Sequence, residues 1–490
     1  MRPVMEIETS AGPARDPSAR TRLIALALFA MALGLHACQA RDIPFISDEP
    51  VFLTLASAAN QSGRLANQGL VGSFGIVYSP VCVWFYQLLL AVTPDLAALA
   101  TLKITIASAA LAFAMWRLCA LARLSPWPLF LIPFSPFLAF YQRMLWDNVL
   151  LIPISAGMVA VTASFLVTPA AWRLWMLGAL CVLGFHVHIL AVVPIAACAI
   201  TTLVFRRAWM REHLVIVGLG ALAALAAVWP FLYAIVFLRE PTARPQPGLA
   251  GSLAGVWHGF LFWSHQGFAP FMKSFYSDSA VLRGLAFGTG ALALVTGGAA
   301  LFAFVVGAAK RDTPVADWPL DRQLALLATL IVLGGAALFA GLRLEPYWHY
   351  SNSAWFGSFY LIWWGFDRVR ARWWAKTLLG LQTVTIGTMT ALLAIHIHNH
   401  HGDRSLQYGA TLGNQMDVAQ RIVERKISGV VIAVDNYAEY PQGLEFLVYT
   451  RARRMGVDMK SGAGRATVRY AGMSPADGEI EVVFDDAVRK

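Results

Sequence analysis

The sequence predicts an all-α polytopic membrane protein of about 11 transmembrane helices, followed by a small C-terminal α/β module. Three observations predict it. Only 13% of the 490 residues are charged and 58% are hydrophobic, whereas about a quarter of a soluble domain is charged. Apolar runs of membrane-spanning length recur from residue 22 to residue 396. Beyond His400 the pattern changes to short strands and amphipathic helices.

In chain order, residues 1–21 form a cytoplasmic tail carrying Arg2, Arg15 and Arg20. No clean small-residue cleavage site follows the first apolar run, so that run is read as a retained helix and not a signal peptide. Residues 22–400 form the transmembrane domain, with spans expected at 22–40, 96–118, 127–142, 147–168, 172–186, 188–205, 214–238, 281–308, 323–342, 351–367 and 377–396. Trp172, Trp175, Trp209, Trp373 and Trp374 flank spans, where indole rings favour the interface.

The run from Pro80 to Val92 is too short for a confident crossing, and charge decides its role. If it does not cross, the clusters Arg206-Arg207-Arg211, Lys310-Arg311-Arg322 and Arg368-Arg370-Arg372-Lys376 all fall inside. If it crosses, they all fall outside, against the positive-inside bias. The segment is therefore read as re-entrant or lying on the surface within a first outside loop, 41–95. The N-terminus is then cytoplasmic and the C-terminus extracytoplasmic. The net charge of +10 encodes this orientation and implies no nucleic-acid partner. The five cysteines, none in a CxxC pair, imply neither a disulfide framework nor a zinc site.

Residues 401–490 read as a soluble extracytoplasmic module. Leu412, Met416, Ala419, Ile422 and Val423 make one helical face, 429–434 a strand, 444–455 a second helix, and 466–470 and 479–484 further strands. It carries no nucleophile or phosphate-loop motif. His396, His398, His400 and His401 read as a solvated linker, because no carboxylate or cysteine nearby completes a metal site.

This topology gathers the ionisable groups at one face of the membrane, which signals a functional site. They are Asp48 and Glu49, the stretch Gln142 to Asn148, His186 and His188, residues 239–279, and residues 343–353. Lys103 lies about two turns inside its span. Each has a structural alternative. Asp48 or Ser47 before Glu49-Pro50 is a helix-start pattern. Arg143 and Asp147 are four apart and suit a helix-end ion pair. The histidines suit an interface, and Lys103 can snorkel outward. The run from Val51 to Leu65 suits a helix lying along the bilayer surface.

An outside loop with Asp-Glu, then Tyr-x-Pro before a short apolar run, then a long span with a basic end precede Ser-Pro-Phe-Leu-x-Phe-Tyr-x-Arg-x-x-x-Asp. This order resembles the GT-C superfamily of membrane glycosyltransferases over roughly residues 20–400, in particular its protein O-mannosyltransferase and aminoarabinose-transferase-like branch. The resemblance implies a GT-C-like fold and transfer of a sugar from a polyprenyl-phosphate carrier on the extracytoplasmic side of the bacterial inner membrane. It implies that Asp48 is the catalytic first-loop acid. Tyr78-Ser79-Pro80 resembles a Tyr-Pro-Pro stretch, with serine replacing the first proline. Tyr141, Arg143 and Asp147 resemble a second outside loop at the acceptor or sugar site. Lys103 falls where relatives have arginine. Glu345 to Tyr350, with Tyr347 and His349, resembles a late loop that approaches the carrier phosphate.

The chemistry fits these residues. The acceptor, a glycan, lipid or protein group, must lose a proton to a base, for which Asp48 is expected. Displacement in line would invert the anomeric centre. The leaving phosphate needs cationic donors, with Arg343 and His349 expected first and Lys103 and Arg143 next. Asp147 would orient the acceptor, hold Arg143 or help bind a divalent ion. Glu49, Asp147 and His349 offer donors for such an ion, although their spacing demands none. No nucleotide motif is present, so the sugar is expected to arrive on membrane lipid. A ligase or polymerase of lipid-linked glycans, and a lipid or solute transporter, are the competing classes.

Overall fold

A computed structural model of the protein describes residues 19–46, 48–72, 76–237, 254–277, 279–310, 314–343, 348–404, 408–427, 429–432, 442–459, 464–471 and 478–485. The tail before residue 19 lies outside these residues. Eight helices among them are long and apolar enough to cross a membrane: Ala19–Asp42, Leu96–Ala122, Asn148–Val167, Ile189–Glu212, Leu214–Phe237, Ala280–Ala309, Leu320–Leu342 and Trp373–His400. The architecture is that of a helical, multi-pass membrane protein. Leu214, Val215, Leu222 and Phe237 lie mostly exposed along one helix, and Phe287, Val295 and Phe302 along another. Apolar stripes of that length call for lipid as the covering phase.

Three further expected spans are too short for that set or are broken. Ala171–Val187 has 17 residues and Trp355–Val369 has 15. The stretch 127–142 is not one helix but a 3-10 turn, Trp127–Phe130, followed by Leu131–Phe134 and Pro136–Tyr141. Pro126, Pro128, Pro133 and Pro136 explain the breaks. Each lacks an N–H and disfavours helical backbone just before it, and Ser135 before Pro136 is extended. The broken segment still carries the chain from one end of the bundle to the other. At one end, here the base, the Ser125 N–H donates to Asp367 Oδ1 at 2.9 Å. At the other, the mouth, Lys103 Nζ donates to the carbonyls of Gln142 and Met144 at 2.6 and 2.7 Å.

The helix Asp48–Gln61 turns an apolar face into the protein. Phe52, Leu53 and Ala56 are buried, and Phe52 meets Tyr86 of the helix Val81–Val92 with ring centroids 6.0 Å apart. That second, 12-residue helix buries Cys82, Val83, Tyr86 and Leu89 and exposes Trp84, Leu88 and Val92.

The C-terminal module holds a two-residue ladder, β1 (Gly402–Asp403) with β2 (Gly409–Ala410), and a sheet of β3 (Gly429–Ile432), β4 (Arg465–Tyr470) and β5 (Ile480–Asp485). β3 and β4 run parallel, with Val430 opposite Ala466, and β4 and β5 antiparallel, with Val468 opposite Val482. The helix Leu412–Glu424 follows β2 and Gln442–Arg454 connects β3 to β4. Every predicted element is present within a few residues; the end of the expected strand 429–434 lies outside the described residues. The module is not strung on a solvated linker. The helix Trp373–His400 continues through the histidines, His398 Nδ1 meets Asp42 Oδ2 at 2.9 Å, and His396 packs on Phe275 and His400. One hydrophobic core runs from Ile43, Phe45, Phe52 and Tyr86 into Leu412, Ile422, Leu444 and Phe446.

Candidate active site

A cavity of about 620 Å³ opens at the mouth, within the usual size range for small-molecule sites. Asp48, Tyr78, Asp147, Asn148, His188 and Tyr350 give it its polar groups, and Phe185, Ile189, Leu232, Leu338 and Phe339 much of its apolar wall. The predicted residues Asp48, Asp147 and Tyr78, from three separate segments, thus share one cavity. Two other cavities of similar size, between Val81–Val92, Leu96–Ala122 and the helices from 148 to 237, have almost wholly apolar walls.

Asp48 opens the helix Asp48–Gln61. Its neighbour Glu49 turns the other way, fully buried. Glu49 Oε2 accepts from the Ile46 N–H at 3.2 Å, tying the first turn of the helix back to the segment before it. Its Oε1 has no partner, and burial pushes its pKa well above the ordinary carboxylate range. Glu49 therefore fastens the helix start and is not a cavity group.

Asp147 precedes the turn Asn148–Leu150 and accepts from the Asn148 N–H at 2.6 Å. Burial, reinforced by the negative charge of Asp48 and opposed by backbone N–H bonds, pushes its pKa up to about 7. Around neutrality it therefore exchanges its proton readily. The expected helix-end pair with Arg143 does not form, because residues 142–147 are a turn and not a helix.

Tyr78 is fixed by its backbone, which exchanges hydrogen bonds with Gly69 and Leu70 at 2.9 and 2.8 Å. Gly72 lets the Tyr78 ring approach, since a Cβ there would meet it at 2.3 Å. His188 stacks on that ring, centroids 5.2 Å apart, with Nε2 3.4 Å from the phenol oxygen. The tautomer follows from the backbone. His188 Nδ1 accepts from the Leu190 N–H at 3.2 Å, so a neutral ring carries its proton on Nε2 and donates to Tyr78. The Tyr78 hydroxyl proton is then left to serve the cavity. Two positions earlier, His186 Nδ1 lies 2.9 Å from Ser79 Oγ. The His-x-His pair thereby grips the consecutive residues Tyr78 and Ser79.

Other predicted residues stand elsewhere. Lys103 is fully buried and holds the 142–144 turn through two carbonyls. Arg143 donates through Nη2 to the Gln39 carbonyl, close to Tyr408 and Asp42. Tyr141 is buried among Phe137, Phe140 and Phe271, its hydroxyl without a partner. Arg343 caps the helix Leu320–Leu342 in left-handed conformation, φ 48°, and is exposed beside Leu342 of the cavity wall. Tyr347 and the side chain of His349 lie outside the described residues.

Sequence reasoning placed His188, Asn148 and Tyr350 at the functional face but gave them no individual role in the site. The only signal for His188 was its place beside His186 at a predicted outside helix end. Among the described residues no lysine or arginine lines the cavity, and no three His, Cys, Asp or Glu side chains converge as a metal cluster. Of the expected trio of Glu49, Asp147 and His349, Asp147 lines the cavity and Glu49 does not, and the side chain of His349 lies outside the described residues. In comparisons with known proteins, no family model matches the chain and no curated protein matches it.

Proposed function

We propose that the protein is a membrane glycosyltransferase that moves a sugar from a polyprenyl-phosphate carrier to an acceptor at the extracytoplasmic face, using Asp48 as general base. The observation that carries this reading is the convergence of Asp48 and Asp147 on one cavity with an otherwise largely apolar wall. Such a wall suits an isoprenoid carrier, and two carboxylates suit proton removal from a hydroxyl or amine. The chain then makes about 11 passes, with its N-terminus in the cytoplasm. The alternating helix ends support that count, as does the passage of the broken segment from Ser125 to Gln142.

In this reaction Asp48 takes the proton of the acceptor group as it attacks the anomeric carbon. The carbon–oxygen bond to phosphate breaks, the configuration inverts, and polyprenyl phosphate leaves. Tyr78, with His188 behind it, donates its hydroxyl proton to a sugar or phosphate oxygen. Asp147 in its protonated form donates likewise, and its neutrality spares the donor phosphate a second nearby anion. Two carboxylates with a substrate phosphate also fit a hard divalent ion, which binds through one or two protein carboxylates. Such an ion would need Asp147 ionised, in place of the protonated donor described above; held by Asp48 and Asp147, it would supply positive charge to the leaving phosphate. Among the described residues, Arg343, next to Leu342 of the cavity wall, is placed to offer that charge from the protein itself. Transport is the weaker reading, because ionisable groups line the cavity at the mouth while two other large cavities among the described residues are almost wholly apolar.

The test is incubation of the purified protein with a panel of radiolabelled polyprenyl-phosphate sugars and a membrane extract as acceptor. Label leaving one donor for an acceptor is the expected result. Label remaining on every donor, with acceptors shown to be present, overturns the reading.

A further inference from the structure

We infer that the C-terminal module is a brace that fixes where Asp48 stands; this rests on the role proposed above for Asp48. The segment Arg41 to Ile46 leads directly into Asp48 and has little regular structure of its own. Its backbone groups therefore need partners from elsewhere. The module supplies them in sequence. Tyr408 donates its hydroxyl to the Asp42 carbonyl. Leu412 donates its N–H to the Ile43 carbonyl at 2.9 Å, using one of the orphan donors at a helix start. Thr411 bridges to Pro44. Gln415, fully buried, donates through Nε2 to the Phe45 carbonyl at 3.0 Å.

Two glycines allow this approach. A Cβ at Gly413 would sit 2.9 Å from Arg41 Nε, and one at Gly443 would sit 2.6 Å from the Phe45 carbonyl oxygen. Each is the second residue of its helix, so both module helices butt their first turns against the segment. Phe45 is fully buried, with its ring 6.2 Å from Phe446. From the bundle side, His398 holds Asp42 of this segment and Arg143 holds Gln39 just before it. The clamped carbonyls end at Phe45, three residues before Asp48. A general base works only when held within about half an ångström of its productive place, and these contacts provide that rigidity. Gln415, Tyr408 and Gly443 are thus positioning residues for Asp48.

Gly443→Ala is the sharpest test. Alanine suits a helix better than glycine, so the module helix keeps its stability and the collision falls on Phe45. Amide hydrogen exchange over residues 42–53 should speed up, and turnover should fall at least about tenfold, with KM for the lipid donor little changed. Gln415→Ala should act in the same direction. Arg469→Ala, which removes the exposed pair with Glu481 on the sheet, should change neither. Wild-type exchange over 42–53 in both Gly443→Ala and Gln415→Ala overturns the brace, whatever the turnover. Faster exchange in a protein that transfers no sugar upholds the brace and counts against the transferase reading alone.

Discussion

The two ends of the bundle treat their carboxylates in opposite ways. At the base, Asp367 pairs with Arg370 at 3.0 Å and accepts from the Ser125 N–H. Asp321 meets Arg368 at 3.6 Å and the Trp364 indole N–H at 3.1 Å. At the mouth the buried cations Lys103 and Arg143 go to backbone carbonyls, while Asp147 faces the charge of Asp48 across the cavity. Base charges stitch helix ends together. Mouth carboxylates crowd one another around a cavity that no described lysine or arginine lines. Burying like charges costs stability, and such a cost is expected where the charges serve chemistry.

Exchanging charges at the two ends sharpens that contrast. The largest effect belongs to Asp48→Asn, which should cut transfer by about 10²–10⁴-fold, the worth of a general base, as read in the donor-labelling assay. Asp147→Asn should separate stability from activity. The folded-state pKa of Asp147 is raised from 3.8 to about 7, so the folded protein keeps a proton that the unfolded chain releases. Stability from this group is greatest below the unfolded value. It is lost as pH rises towards 7, at about 1.4 kcal/mol for each tenfold fall in proton activity. Melting in detergent should therefore show Asn more stable than Asp, with a larger margin at about pH 8 than at about pH 5. Its activity should lose the decline above neutrality that ionisation of Asp147 imposes on the wild type.

Smaller effects follow from the supporting pair. Tyr78→Phe and His188→Ala should each lower turnover about tenfold, and the double variant should be little worse than either, because the two act in series. Additive losses in the double variant would break the link between them. Smallest of all, Asp367→Asn at the base should leave transfer within about twofold. It should cost about 1–3 kcal/mol of stability, because it removes the ion pair with Arg370 and weakens the bond to Ser125. A transfer defect there as large as at the mouth would erase the distinction between the ends.

Much of this was legible in the sequence, and the gaps have physical causes. Eight long helices follow from apolar length alone, and the module's elements from periodicity. Asp48, Tyr78 and Asp147 were found because ionisable and aromatic residues beside apolar spans stand out. Lys103, Arg143 and Tyr141 stood out for the same reason. Their turn away from the cavity depends on packing between distant segments, such as Lys103 with the 142–144 turn. The break at Ser135 was written in Pro133 and Pro136, which an apolar run of the right length concealed. Glu49 and Asp48 are adjacent, and only the first turn of the helix decides which faces the cavity. The docking of the module on 41–46 involves pairs some 370 residues apart, which local pattern cannot reveal.

The most direct measurement compares initial transfer rates of wild type, Asp48→Asn and Asp367→Asn, purified alike and given the same labelled polyprenyl-phosphate sugar. The account predicts transfer by wild type and Asp367→Asn and almost none by Asp48→Asn, with all three equally folded. Wild-type transfer by Asp48→Asn would contradict it.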